Sequence, residues 1–124
     1  MISMHKSGDF IYKAKDKPEG IFIIHSGSVE ILTKNGVPLA TLSEGEIFGE
    51  ISEILAETRS VTARAKSDCS LMHIANSTIE AKLATTDPAI KGIIRALAHR
   101  LSETGRKYEA LWDELQIYKS LKPK

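Results

Sequence analysis

Near residue 76 the chain changes its repeat: short β-branched and aromatic runs broken by turn residues give way to a single long helical periodicity. Before that point Phe10-Ile11-Tyr12, Ile21 to His25, Val29 to Leu32, Leu39 to Leu42, Val61 to Ala65 and Ser70 to Ile74 read as strands. Pro18-Glu19-Gly20, Ser26-Gly27-Ser28 and Asn35-Gly36 punctuate them. Asn-Gly between two apolar runs predicts a tight hairpin in which both central residues take positive φ. Strands this short and regular predict an α+β, mainly β, architecture: an antiparallel β-roll, jelly-roll-like, with helices following it.

The helical half has its own signals. Ser77-x-x-Glu80 is a capping-box pattern that predicts a short helix to about Ala84. Asp87-Pro88 reads as an N-cap with proline at the first helical position, and no proline follows until Pro123. Ile90, Ile94, Leu97, Leu101, Thr104, Tyr108, Leu111, Leu115 and Tyr118 then alternate in steps of four and three. Such a seam needs a partner helix or a groove on its own domain. A helix of about 30 residues spans roughly 45 Å, longer than a roll this small. The expected partner is therefore a second copy, a homodimer through Ile94, Leu97, Leu101, Tyr108, Leu111 and Leu115, with packing on the roll as the alternative. The closing stretch Lys119 to Lys124 reads as basic and frayed.

A chain of 124 residues has room for one domain, here 1–124 with the roll over 8–75 and the helices over 77–120. Hydrophobic residues at 42% and charged residues at 27% are the balance of a globular protein with a core. A net charge of +1 supplies no electrostatic reason to expect nucleic acid or an anionic membrane as partner. Cys69 is the one cysteine, so neither an internal disulfide nor a multi-cysteine metal site is possible. The first ten residues do not resemble a signal peptide, and no membrane-length apolar run occurs, so a cytoplasmic location is expected. His5, His25, His73 and His99 lack the close spacing of metal ligands, and no nucleophile elbow, Walker loop or His-Glu-x-x-His occurs. The chain is expected to be neither an enzyme nor dependent on a cofactor or metal.

The stretch that carries chemistry is Phe48-Gly49-Glu50-Ile51-Ser52 followed by Arg59-Ser60-Val61-Thr62-Ala63. A glycine lets backbone turn tightly or approach a ligand closely. Glu50 and its successors can form one short helix whose free N–H groups face an anion. Arg59, opening the next strand, can offer parallel donors to a phosphate. Taken as residue types alone, a glutamate and an arginine near a turn are more often a solvated pair.

In register, this run resembles the phosphate-binding cassette of the cyclic-nucleotide-binding domain family, over 48–62. Tyr12-Lys13-Ala14-Lys15-Asp16 and Ile21 through Val29 resemble the family's first hairpins, including the Ser-Gly turn. Arg59 through Lys66, and Ala98-His99-Arg100-Leu101 after Asp87-Pro88, are most similar to the bacterial cAMP receptor branch. The resemblance covers residues 8 to 110 or so and ends before any helix-turn-helix, so direct DNA recognition is not expected.

The resemblance implies that the ligand is cAMP or cGMP and that Glu50 accepts from the ribose 2′-hydroxyl. It implies that the N–H groups from Gly49 through Ser52, with Arg59, hold the cyclic phosphate, next to Phe48 and Ile51, and that Ser60 donates to a ligand oxygen. Ile31 and Leu39 are expected to line the apolar side, a role compatible with being core. Thr104 matches a helix position that reaches the adenine edge; the alternative for Thr104 and its neighbour Gly105 is a local hinge. Four positions depart from the family pattern: Lys15 in place of glycine, Thr58 in place of proline, Glu53 in place of an apolar residue, and Gly105 in place of a hydroxyl. The expected function is a cAMP-binding regulatory domain reporting through its C-terminal helix. The competing expectation is a dimerisation module that has lost its ligand.

Overall fold

The computed structural model describes residues 1–121. Eight strands form two four-stranded antiparallel sheets. They are β1 (Ile2–His5), β2 (Phe10–Tyr12), β3 (Ile21–Ser26), β4 (Val29–Leu32), β5 (Pro38–Leu42), β6 (Ile47–Phe48), β7 (Thr62–Ala65) and β8 (Cys69–Ile74). One sheet runs β1-β8-β3-β6 and the other β2-β7-β4-β5. The helices are α1 (Glu50–Leu55), α2 (Asn76–Ala84) and α3 (Pro88–Leu121).

The predicted roll is present, with two additions. β1 and β6 were not expected, and β1 puts the start of the roll ahead of residue 8, where it pairs with β8 from Ile2↔Met72 to His5↔Cys69. Both are short elements whose partners lie far away in sequence, so neither carries a local signal. The Ser-Gly turn is not a hairpin loop. β3 pairs with β6 and β8, β4 pairs with β5 and β7, and the turn carries the chain from one sheet to the other. Gly27 is required there: its φ is 84°, and a Cβ would lie 2.4 Å from the Asp68 carbonyl oxygen.

The β4–β5 hairpin forms, but not with the expected two-residue turn. Among the described residues only Gly36 of the Asn-Gly pair has positive φ. The loop is longer: Thr33 N donates to Val37 O at 2.8 Å, and the Thr33 hydroxyl accepts from Asn35 N and Val37 N. That side chain closes the turn, which is why Thr33 is buried at 4% exposure.

Between the sheets lie Tyr12, Ile24, Val29, Phe48, Ala63, Ala65, Cys69 and Leu71. The alternation of β7, with Ala63 and Ala65 inward, brings small side chains where the two sheets close together. Each large member, such as Ile24 or Leu71, contributes about 1.5–3 kcal/mol by leaving water.

The helical half differs in its details. α2 begins at Asn76, one residue ahead of the capping box, so Ser77 and Glu80 lie within the helix, and among the described residues no side chain caps it. Asp87 does cap α3: its carboxylate accepts from Ala89 N at 2.8 Å and its carbonyl from Lys91 N at 3.0 Å. The basic closing stretch falls partly outside the described residues; its part up to Leu121 is helical. α3 packs on the body chiefly through α1. Its one buried residue is Ala98, while Leu97, Tyr108, Leu111 and Leu115 are exposed.

Candidate functional site

A cavity of about 340 Å³ opens between the β2-β7-β4-β5 sheet, α1 and α3. Phe48, Gly49, Glu50, Ile51 and Ser52 line it from the β6–α1 corner, and Arg59 and Ser60 from the α1–β7 loop. Ile31 of β4 and Leu39 of β5 supply apolar wall. Nine of the ten residues singled out from the sequence therefore meet around one space.

Thr104 does not. It is exposed, and its hydroxyl donates back to Arg100 O at 2.9 Å. The face of α3 turned to the cavity carries Leu101, Ser102, Gly105, Arg106 and Glu109. At about 100° per residue Thr104 projects to the side of that stripe, onto the exposed seam. Ser102, Arg106 and Glu109 were missed by sequence reasoning, because the seam was read as the one functional face. Gly105 lines the cavity, yet a Cβ there would meet nothing within 4 Å, so close packing within this chain does not demand a glycine.

Gly49 sets the corner. Its φ of 82° is left-handed, and a Cβ would sit 2.9 Å from Arg59 Nη1. Any side chain would therefore strain the turn and push the guanidinium away. Among the described residues no side chain caps α1, so its first N–H groups have no side-chain acceptor there.

Arg59 was expected to open a strand; it lies three residues before β7, in the loop. It is only 3% exposed and is built into the fold. Nη1 donates to Gly49 O at 2.6 Å and to Ser52 Oγ at 2.7 Å, and Nη2 donates to Gly20 O at 2.8 Å. The guanidinium carbon stands 4.2 Å from the Tyr12 ring centroid, a cation–π contact. Its Nε–H is buried and, among the described residues, has no partner. Leaving such a donor unpaired costs about 1–3 kcal/mol, more for a charged group. Tyr12 itself stays a neutral phenol: burial pushes its pKa up to about 12, with Arg59 opposing and Glu50 reinforcing the shift.

The two carboxylates of α1 have opposite fates. Glu50 is half-buried at the cavity and, among the described residues, makes no side-chain hydrogen bond or ion pair. Glu53 turns away from the cavity: 8% exposed, it accepts from the Gly20 N–H and from Asn76 Nδ2. The repulsion that a second cassette carboxylate would exert on an anion is thereby diverted. Among the described residues no three metal-ligating side chains converge, and no helix is long and apolar enough to cross a membrane.

Glu50, with its unengaged carboxylate, and Arg59, with an Nε–H unpaired among the described residues, thus line one cavity together with the apolar Ile31 and Leu39. Residues 4–86 match the family of the cyclic nucleotide-binding domain. The cGMP-dependent protein kinase of Plasmodium berghei (strain Anka) is 36% identical over 78 residues, covering 63% of this chain and 9% of the kinase. The EAL enzyme Bd1971 in its cAMP-bound form superposes with a TM-score of 0.77 at 30% identity, covering 96% of this chain and 33% of that one. Its cGMP-bound form gives a TM-score of 0.76 at the same identity and the same coverage, 96% and 33%. The chain thus spans about a tenth of the kinase and a third of the enzyme.

Proposed function

The chain belongs to the cyclic nucleotide-binding domain family, and on that premise we propose that its cavity captures cAMP, with cGMP as the nearest competitor, and that occupancy is reported through α3. The observation carrying this reading is that the unengaged carboxylate of Glu50 and the unsatisfied Nε–H of Arg59 belong to residues lining one cavity. Glu50 accepts from the ribose 2′-hydroxyl. Arg59, Ser60 and the first N–H groups of α1 receive the cyclic phosphate, and Ile31, Leu39 and Phe48 flank the apolar part. The chain acts as a regulatory binding domain, without catalysis of its own. Its Arg59-Ser60-Val61-Thr62 run supports a place near the bacterial cAMP receptor branch.

The exposed residues Leu97, Tyr108, Leu111 and Leu115 favour a homodimer along α3. In that assembly Thr104, on the same seam, meets the second copy or a ligand held between the copies. Population shift is the mechanism: ligand between the cassette and α3 stabilises one placement of the helix.

A second reading has an observation of its own. Arg59 is 3% exposed and already hydrogen-bonded to three protein acceptors, the state of a residue retained for the fold. On that reading the chain is a dimerisation module without a ligand. Calorimetric titration of the full chain with cAMP and cGMP in parallel separates the two. Micromolar or tighter binding of one nucleotide is expected, weakened at least tenfold in Arg59→Lys, which retains the charge but loses the fork. Absence of both heat and thermal stabilisation at millimolar nucleotide would leave the ligand-free module.

A further inference from the structure

We propose that Glu53 is a positioning residue of this site, holding Arg59 through Gly20 and tying the cassette to the first residue of α2; the proposal rests on reading the cavity as a nucleotide site. Three elements meet at this carboxylate. Glu53 belongs to α1, the Gly20 N–H it accepts belongs to the β2–β3 loop, and Asn76 begins α2. Asn76 Nδ2 reaches Oε2 at 2.9 Å and Oε1 at 3.3 Å. The carboxylate is 8% exposed, and among the described residues no cation pairs with it. Neutral donors aimed at it are what keep it inside, and hydrogen bonds of this charge-assisted kind are roughly twice as strong as neutral ones.

Gly20 is the link to the arginine. It receives Glu53 on its N–H and Arg59 on its carbonyl, which accepts from Nη2 at 2.8 Å. It has no freedom to accommodate a change: its φ is 110°, and a Cβ would lie 2.2 Å from Ile74 O. Arg59 has five N–H hydrogens, of which Gly49 O, Ser52 Oγ and Gly20 O take three. Those left are the Nε hydrogen and one on Nη2. Where they point depends on the plane of the guanidinium, and Gly20 O sets one side of that plane. A side chain at position 53 with no acceptor, as the resemblance leads one to expect, releases the Gly20 N–H, then Gly20 O, then the orientation of the fork. The same change frees Asn76, so the cassette and α2 lose a direct polar connection.

The test uses the full chain as Glu53→Leu and Glu53→Gln. Before any ligand is added, Glu53→Leu should shift or broaden the Arg59 Nε–H resonance and speed exchange of the Gly20 amide at least tenfold. Its cAMP affinity should fall about tenfold, the scale of one lost hydrogen bond to a charged group. Glu53→Gln keeps an acceptor without the charge and should show the same changes at smaller amplitude; it and Asn76→Ala carry the readouts should Glu53→Leu not fold. A lower melting temperature with unmoved Arg59 and Gly20 signals, or with affinity within twofold of the parent, would overturn the proposal. Failure of the unmutated chain to bind cAMP or cGMP would instead sink the nucleotide reading, while the ligand-free signals still decide whether Glu53 holds Arg59.

Discussion

Ala56 ends α1 in the left-handed region, φ 53° and ψ 44°, with its N–H returned to Glu53 O and Ser52 O. An L-residue with a Cβ pays roughly 1–2 kcal/mol for that conformation, part of which glycine recovers. Ala56→Gly should therefore raise stability by about 0.5–1 kcal/mol, visible as a higher melting temperature; a lower one would mean that its methyl group is better packed than its exposure suggests. Lys15, the departure from glycine noted in the sequence, has the same kind of backbone at φ 79°. The sequence identified it by analogy, whereas nothing in the letter Ala marked position 56. Arg59 shows the converse. Its residue type and place were legible, but its three internal acceptors were not, since Gly20 is brought to it across 39 residues of chain.

At the scale of elements, α3 separates two faces that the heptad count merged. Ile94, Ala98, Ser102 and Glu109 turn inward, with Gly105 at the cavity, whereas Leu97, Tyr108, Leu111 and Leu115 stand exposed beside them. Leu111 is 66% exposed, so a charge there costs the isolated fold little. Leu111→Glu with Leu115→Glu should convert a dimer to a monomer with unchanged circular dichroism, measured by light scattering after size exclusion. A parent chain that is already monomeric would contradict the homodimer. The periodicity predicted the helix and its start well, because Asp87 and Pro88 act locally. The capping box misled by position: Asn76 begins α2, and its side chain is engaged by Glu53, a partner the local pattern does not contain.

For the whole molecule, the cavity is walled by strands of one sheet, the β6–α1 corner and α3, so a ligand there joins parts that are far apart in the chain. Ligand bound to the folded form alone stabilises it by about 2.7 kcal/mol at a hundredfold excess over Kd. The melting temperature should rise accordingly with nucleotide concentration, and amide exchange should slow in both α1 and the cavity-facing turns of α3. Stabilisation without any protection from Ile94 to Leu115 would exclude α3 as the reporter.

What the sequence determined by itself is whatever short-range chemistry encodes: the strand runs, the proline-capped helix, and a cassette whose residues lie close enough in the chain to meet by necessity. The tertiary structure alone decided matters that depend on distant partners. It paired β1 with β8, sent Glu53 to Gly20 and Asn76, and buried Arg59 against Tyr12. It also turned Ser102, Gly105 and Arg106 of α3, and not Thr104, toward the cavity. Heptad spacing says which side chains share a stripe, but the rotation of a helix about its axis is set by what it packs against, here α1.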